Sequence, residues 1–158
     1  MANGKGSLTG SRRSTQRESR ARVETSESMR SPAKTKGEIE AAICDGMTKF
    51  EQEFMGRGPK SITTHLLGDL LIIRLTGVLT AAEQHLVKSA PAEKGRDLLK
   101  QVRTHLIEVA RPLKAEMVEK ATGVEVLSLH HDISTVTGEE VVIFTLNRTP
   151  ALRENRSK

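Results

Sequence analysis

Hydrophobic positions along this chain fall into helical stripes and short β-rich runs, and their order sets out the elements. Ile39, Ile43, Met47, Phe50 and Phe54 recur at spacings of four, four, three and four, the signature of one apolar helical face. The helix they predict runs over about 36–55. It stops at Gly56-Arg57-Gly58-Pro59, where glycines permit left-handed backbone and proline blocks continuation. Two β-rich runs follow, Ile62 to Leu67 and Leu70 to Val78, separated by Gly68-Asp69. That dipeptide suits a tight hairpin turn. Thr80 and Glu83 have the spacing of a capping box, so a short helix should start there and reach about Ser89.

The strongest helical period lies beyond Pro91, in Leu99, Val102, Leu106, Val109, Leu113 and Met117, and closes at Gly123. It predicts a long helix whose apolar stripe packs on the sheet and which bends at Pro112. Val124 to Ile133 and Glu140 to Leu146 then read as a second hairpin around Thr135, Thr137 and Gly138. The order α-β-β-α-α-β-β predicts an α+β two-layer sandwich: one antiparallel four-stranded sheet of two hairpins, covered by two long helices and one short one. With no Trp or Tyr and only three Phe, the core is aliphatic and modest, and a homodimer would add burial.

Charge divides the chain. Residues 1–36 hold 9 of the 25 Lys and Arg but only 3 of the 20 Asp and Glu, which leaves the remainder at −1. The organisation expected is a disordered basic tail over 1–33, a folded domain over 34–147 and a flexible tail over 148–158. Because the basicity sits in the tail, and no aromatic residues alternate with basic ones to give stacking platforms, nucleic acid is not an expected partner. The single cysteine, Cys44, allows no internal disulfide, so a cytoplasmic setting is expected. No apolar run reaches the length of a membrane span, since Leu70 to Leu75 is strand-sized and broken by Arg74. The N-terminus lacks the apolar segment of a secretory signal.

Two candidate surfaces carry chemistry. Gly56, Arg57 and Gly58 could cradle a small anion between turn amides and a guanidinium, although the same residues serve as a plain helix stop. On the long helix, Arg96, Lys100, Arg103, Arg111 and Lys114 fall within roughly 80° of one another. That stripe would dock an acidic partner, or form an ordinary solvated face. His130 and Asp132 share a strand face while His131 points away, and two ligands are too few for a metal site. Cys44 lies off the apolar stripe of its helix and reads as structural. No catalytic motif is present, so neither an enzyme nor a cofactor is expected.

Several segments in order, Lys34-Thr35-Lys36-Gly37-Glu38-Ile39-Glu40, Met55-Gly56-Arg57-Gly58-Pro59, Leu75-Thr76-Gly77-Val78-Leu79-Thr80 with Glu83, Ser128-Leu129-His130 with Asp132-Ile133-Ser134, Thr137-Gly138 and Phe144-Thr145-Leu146, resemble the bacterial MpsC family. The likeness covers about Ala33 to Leu146. It implies a small soluble accessory or regulatory protein, peripheral to the inner face of the membrane. Its partner would be a membrane protein subunit of an ion-translocating system linked to Na+ or to inorganic-carbon uptake. The resemblance brings no catalytic residues with it.

Overall fold

The computed structural model describes residues 33–89 and 91–154. The basic tail expected over 1–33 lies outside them, Ala33 apart. Seven elements follow in the predicted order: α1 (Lys36–Phe54), β1 (Ser61–Leu67), β2 (Leu70–Thr76), α2 (Ala81–Ser89), α3 (Ala92–Thr122), β3 (Val126–Ser134) and β4 (Glu139–Leu146). Thr35 and Glu38 close a capping box on α1, with the Glu38 amide donating to Thr35 Oγ1 at 3.2 Å and the Thr35 amide donating to Glu38 Oε2 at 2.7 Å. Thr80 and Glu83 make the same pair of bonds at α2, at 3.2 and 2.7 Å. α3 continues through Pro112 to a left-handed cap at Gly123.

The sheet is antiparallel throughout, in the order β1-β2-β4-β3. Period-two alternation turns Leu66, Leu71, Ile73, Leu75, Leu129, Ile133, Val142, Phe144 and Leu146 inward. α1 lays Ile39, Ile43, Met47 and Phe50 on that face, while α3 contributes Leu99, Ile107, Ala110, Val118 and Ala121. The last predicted member of the α1 stripe, Phe54, is half exposed and stacks on Phe50 with ring centroids 4.7 Å apart. Past β4, the Arg153 amide donates to Lys34 O at 2.9 Å, and its guanidinium reaches Glu38 at 3.1 Å.

α3 departs from the sequence expectation. Of the stripe expected to pack on the sheet, only Leu99 is fully buried; Val102, Leu106, Val109 and Leu113 are 38% to 63% exposed. The helix is rolled by roughly 80° from the orientation its apolar period implies. The face turned inward instead contains Arg103 and Lys114, at 0% and 1% exposure.

Candidate functional site

The cause of that roll lies beneath the helix. Glu140 occupies an inward position of β4, in the same alternation as Val142 and Phe144, and sits between Leu75 of β2 and Ile133 of β3. α1 brings Glu51 to the same side and α2 brings Glu83. Two buried carboxylates with a third, half-buried one beside them need cations, and a leucine stripe pressed on them would leave them uncompensated. Arg103 supplies the first. Its Nε donates to Glu83 Oε1 at 2.9 Å, Nη1 to Glu140 Oε2 at 2.9 Å, and Nη2 to Val78 O at 3.0 Å and Glu83 Oε2 at 3.1 Å. One planar guanidinium thereby ties α3, α2, β4 and the segment after β2 together.

Lys114, about three turns further along the same face, places Nζ 4.3 Å from the centroid of the Phe50 ring. Burial pushes its ammonium pKa down, against the pull of Glu140 and Glu51. His131 Nε2 stands 3.9 Å from Glu140 Oε1, and burial likewise depresses the imidazole. Glu83 behaves oppositely: burial raises its carboxyl, but the Arg103 and Thr80 hydrogen bonds outweigh this and hold it below the usual range. Glu51 is pushed up to about 7, first by burial and then by the neighbouring Glu140. Both Glu51 oxygens, Glu140 Oε1, Lys114 Nζ and His131 Nε2 are buried without a hydrogen-bond partner among the described residues. Glu51, raised to about 7, is thus the carboxyl of this cluster that can exchange a proton near neutral pH.

The predicted docking stripe thus does not exist as one surface. Arg103 and Lys114 are core residues; Arg96 is half-buried, Lys100 pairs with Asp132 at 2.7 Å, and Arg111 pairs with Glu108 at 2.6 Å. The physical reason is that this arc, which also carries Ile107 and Val118, faces the buried Glu51 and Glu140, whose carboxyls a cation can compensate and the neighbouring leucine and valine arc cannot. His130 and Asp132 are both exposed on the outer sheet face. Cys44 Sγ lies 3.2 Å from Thr64 Oγ1. Among the described residues no three His, Cys, Asp or Glu side chains converge as metal ligands.

A second site surrounds Arg57. A cleft of about 270 Å³ opens between the turn after α1, α2 and the β3–β4 hairpin. Its charged lining residues are Arg57, Lys60 and Lys88, joined by Gln84, Thr135 and Thr137; no carboxylate lines it. Arg57 Nη1 is held by Leu79 O at 3.1 Å, which fixes the guanidinium and leaves its other N–H groups for a ligand. Gly77, at φ 63°, makes room for Lys60: a Cβ there would come within 2.5 Å of Lys60 Cγ. Of the predicted anion site, Arg57 lines the cleft, whereas Gly56 and Gly58 do not. Gly56, at φ 79°, shapes the turn.

A family model described as Na+-translocating membrane potential-generating system (MpsC) matches residues 35–148. The chain belongs to the MpsC family. All seven elements, the buried ion cluster and the cleft lie within that match. Among relatives, the Bacillus subtilis (strain 168) protein named "Uncharacterized protein YbcI" is 38% identical over 113 residues, 72% of this chain and 89% of the relative. A second Bacillus subtilis (strain 168) protein, "Uncharacterized protein YrhF", is 28% identical over 105 residues, 66% of this chain and 84% of the relative. No solved structure matches this chain. The MpsC name ties the family to a Na+-translocating, membrane-potential-generating system.

The sequence reading missed Glu51, Glu83 and Glu140 as partners, and Lys60 and Lys88 as cleft residues. Two signals were present. Glu51 follows Met47 by four positions on the apolar face of α1, and Glu140 heads the inward alternation that continues through Val142, Phe144 and Leu146.

Proposed function

We propose that this chain is a non-enzymatic accessory component of a Na+-translocating, membrane-potential-generating system, held at the inner face of the membrane by another subunit. The observation that carries the proposal is the MpsC match over residues 35–148, which takes in the whole described fold. No helix among the described residues is long and apolar enough to cross a membrane, which fits a place beside the ion path. The test is co-purification of the tagged full chain from native membranes in mild detergent. An integral membrane protein should be retained, and inverted vesicles from cells lacking this chain should build a smaller Na+-dependent potential. Retention of no membrane protein, together with an unchanged potential, overturns the proposal.

A second reading, in which the domain senses a small anion, is favoured by the cleft with three cations and no carboxylate. Under this reading phosphate or bicarbonate raises the melting temperature beyond chloride at equal ionic strength, through ligand linkage. Arg57→Ala removes that rise while leaving the ligand-free melt nearly unchanged. If no anion shifts the wild-type melt, the cleft has no such ligand.

A further inference from the structure

The flank of α3 poses a separate question. Leu98, Val102, Leu106, Val109 and Leu113 are all substantially exposed, between 38% and 63%, and on a helical projection they fall within an arc of roughly 80°. Their spacings of four, four, three and four are those of a seam between helices. A lipid surface or an irregular groove imposes no such narrow, regular line. A partner helix does.

The arrangement of the five residues identifies which helix. Leu98 and Leu113 lie equally far from the midpoint between His105 and Leu106, and so do Val102 and Val109. Reversing a second copy about that midpoint therefore sets Leu98 against Leu113, Val102 against Val109, and Leu106 near its own symmetry mate. Charge agrees with the reversal. Lys94 and Glu116 are exposed on this flank at opposite ends of the seam, and neither is ion-paired among the described residues. An antiparallel copy brings Lys94 within one residue of the partner's Glu116 position at both ends, whereas a parallel copy opposes like charges. Where the reversed Leu98 arrives, a shallow groove of about 430 Å³ between α1 and α3 is lined by Ala42, Leu113 and Met117.

We propose that α3 pairs antiparallel with α3 of a second copy of this chain, about a two-fold axis beside Leu106, to form a homodimer. A two-fold interface must be complementary to itself, and this flank is so in both apolar pattern and charge. The seam is short, roughly 22 Å from Leu98 to Leu113 at a rise of about 1.5 Å per residue. The dimer is accordingly of modest affinity and exchanges with monomer.

Sedimentation equilibrium of the full chain tests this. The wild type should show a monomer–dimer equilibrium complete or nearly so at about 100 μM, a concentration suited to a small interface. Val109→Lys and Val102→Lys, each at a side chain exposed in the monomer, should raise the dissociation constant at least about tenfold while leaving the circular dichroism spectrum unchanged. Glu116→Lys should weaken the dimer, and Lys94→Glu added to the same chain should restore it, because the antiparallel pairing regains opposite charges at both ends. A wild type that stays monomeric at about 100 μM overturns the proposal, and so does a dimer indifferent to both lysine substitutions. Failure of the double charge reversal to restore association overturns the antiparallel orientation. A membrane subunit that binds this flank while the isolated chain remains monomeric also overturns it.

Discussion

The inward face of α3 carries two cations into the core, while its flank leaves five apolar side chains to solvent within one chain. Hydropathy alone would have rolled the helix the other way. The difference is one of partners: Arg103 has four hydrogen bonds waiting for it, from Glu83, Glu140 and Val78, and among the described residues nothing covers the flank. A buried charge is tolerated when its counter-charges are already buried, and it then fixes which face turns inward. The same cations make the position of Glu51 tenable, since a carboxyl with a pKa of about 7 can shed its charge when none is left to balance it.

The largest effect expected from this contrast is at Arg103. Arg103→Ala leaves Glu83 and Glu140 without their shared cation and should cost about 3–5 kcal/mol, the range for breaking a buried pair from one side. The urea midpoint should fall with little change in slope. Arg103→Lys should recover only part, because an ammonium cannot reproduce the planar fork that reaches two carboxylates and a carbonyl. A loss below about 1 kcal/mol in Arg103→Ala would mean that the buried face is not organised by this residue.

Next comes Glu51, where the sign depends on pH. Its folded pKa, about 7, lies above the ordinary 4.5, so the fold prefers the protonated acid. That stabilisation is fully present below about 4.5 and is lost as pH rises through about 7, to a total of about 3 kcal/mol. His131 works the other way, since its depressed pKa means stability is lost as pH falls. The informative quantity is thus the difference between Glu51→Gln and wild type, in which the His131 contribution cancels. It should grow in favour of the glutamine from pH 5 to pH 8. A difference that stays constant over that span would place the titration elsewhere.

On the flank the expected cost is smaller. In dilute solution, where the chain is monomeric, Val109→Ser should change stability by less than about 1 kcal/mol, because the residue is already largely exposed. At high concentration the wild type should gain melting temperature from self-association and the variant should not. A loss of several kcal/mol in the dilute variant would show that the flank is core after all.

How much of this was legible beforehand follows from what each signal encodes. Local signals transferred intact: the Thr80–Glu83 capping box, the Gly68-Asp69 turn and the β-rich runs beside it all appear where the residues put them, because each is decided within a few positions. The orientation of α3 is decided across the molecule. Glu51, Glu83 and Glu140 are 52, 20 and 37 positions from Arg103 in the sequence, and only their convergence turns a charged arc into a buried one. Arg57 was legible as a candidate anion ligand, but Lys60 and Lys88 become its companions only once α2 folds over the turn. The apolar period of Leu99 to Met117 was read correctly as a helix and incorrectly as its sheet-facing side.

The smallest predicted effect isolates the contrast within three residues of one helix. Lys100 and Arg103 both belong to the predicted basic stripe, and their ion pairs have similar lengths, 2.7 Å to Asp132 and 2.9 Å to Glu140. Distance alone would rank them as equals. Their surroundings differ: the Lys100 and Asp132 side chains are 45% and 75% exposed, whereas those of Arg103 and Glu140 are 1% and 0% exposed. Water competes for the first pair and screens it, while the second is shut away from water. Lys100→Ala should therefore cost no more than about 0.5 kcal/mol in a urea melt, and that cost should vanish in about 1 M salt. Replacing Lys100 and Arg103 together should cost about what Arg103→Ala costs alone, since the two sites share no partner. A cost for Lys100→Ala comparable to that of Arg103→Ala would show that pairing geometry, and not burial with pre-placed counter-charges, sets the energy of this helix.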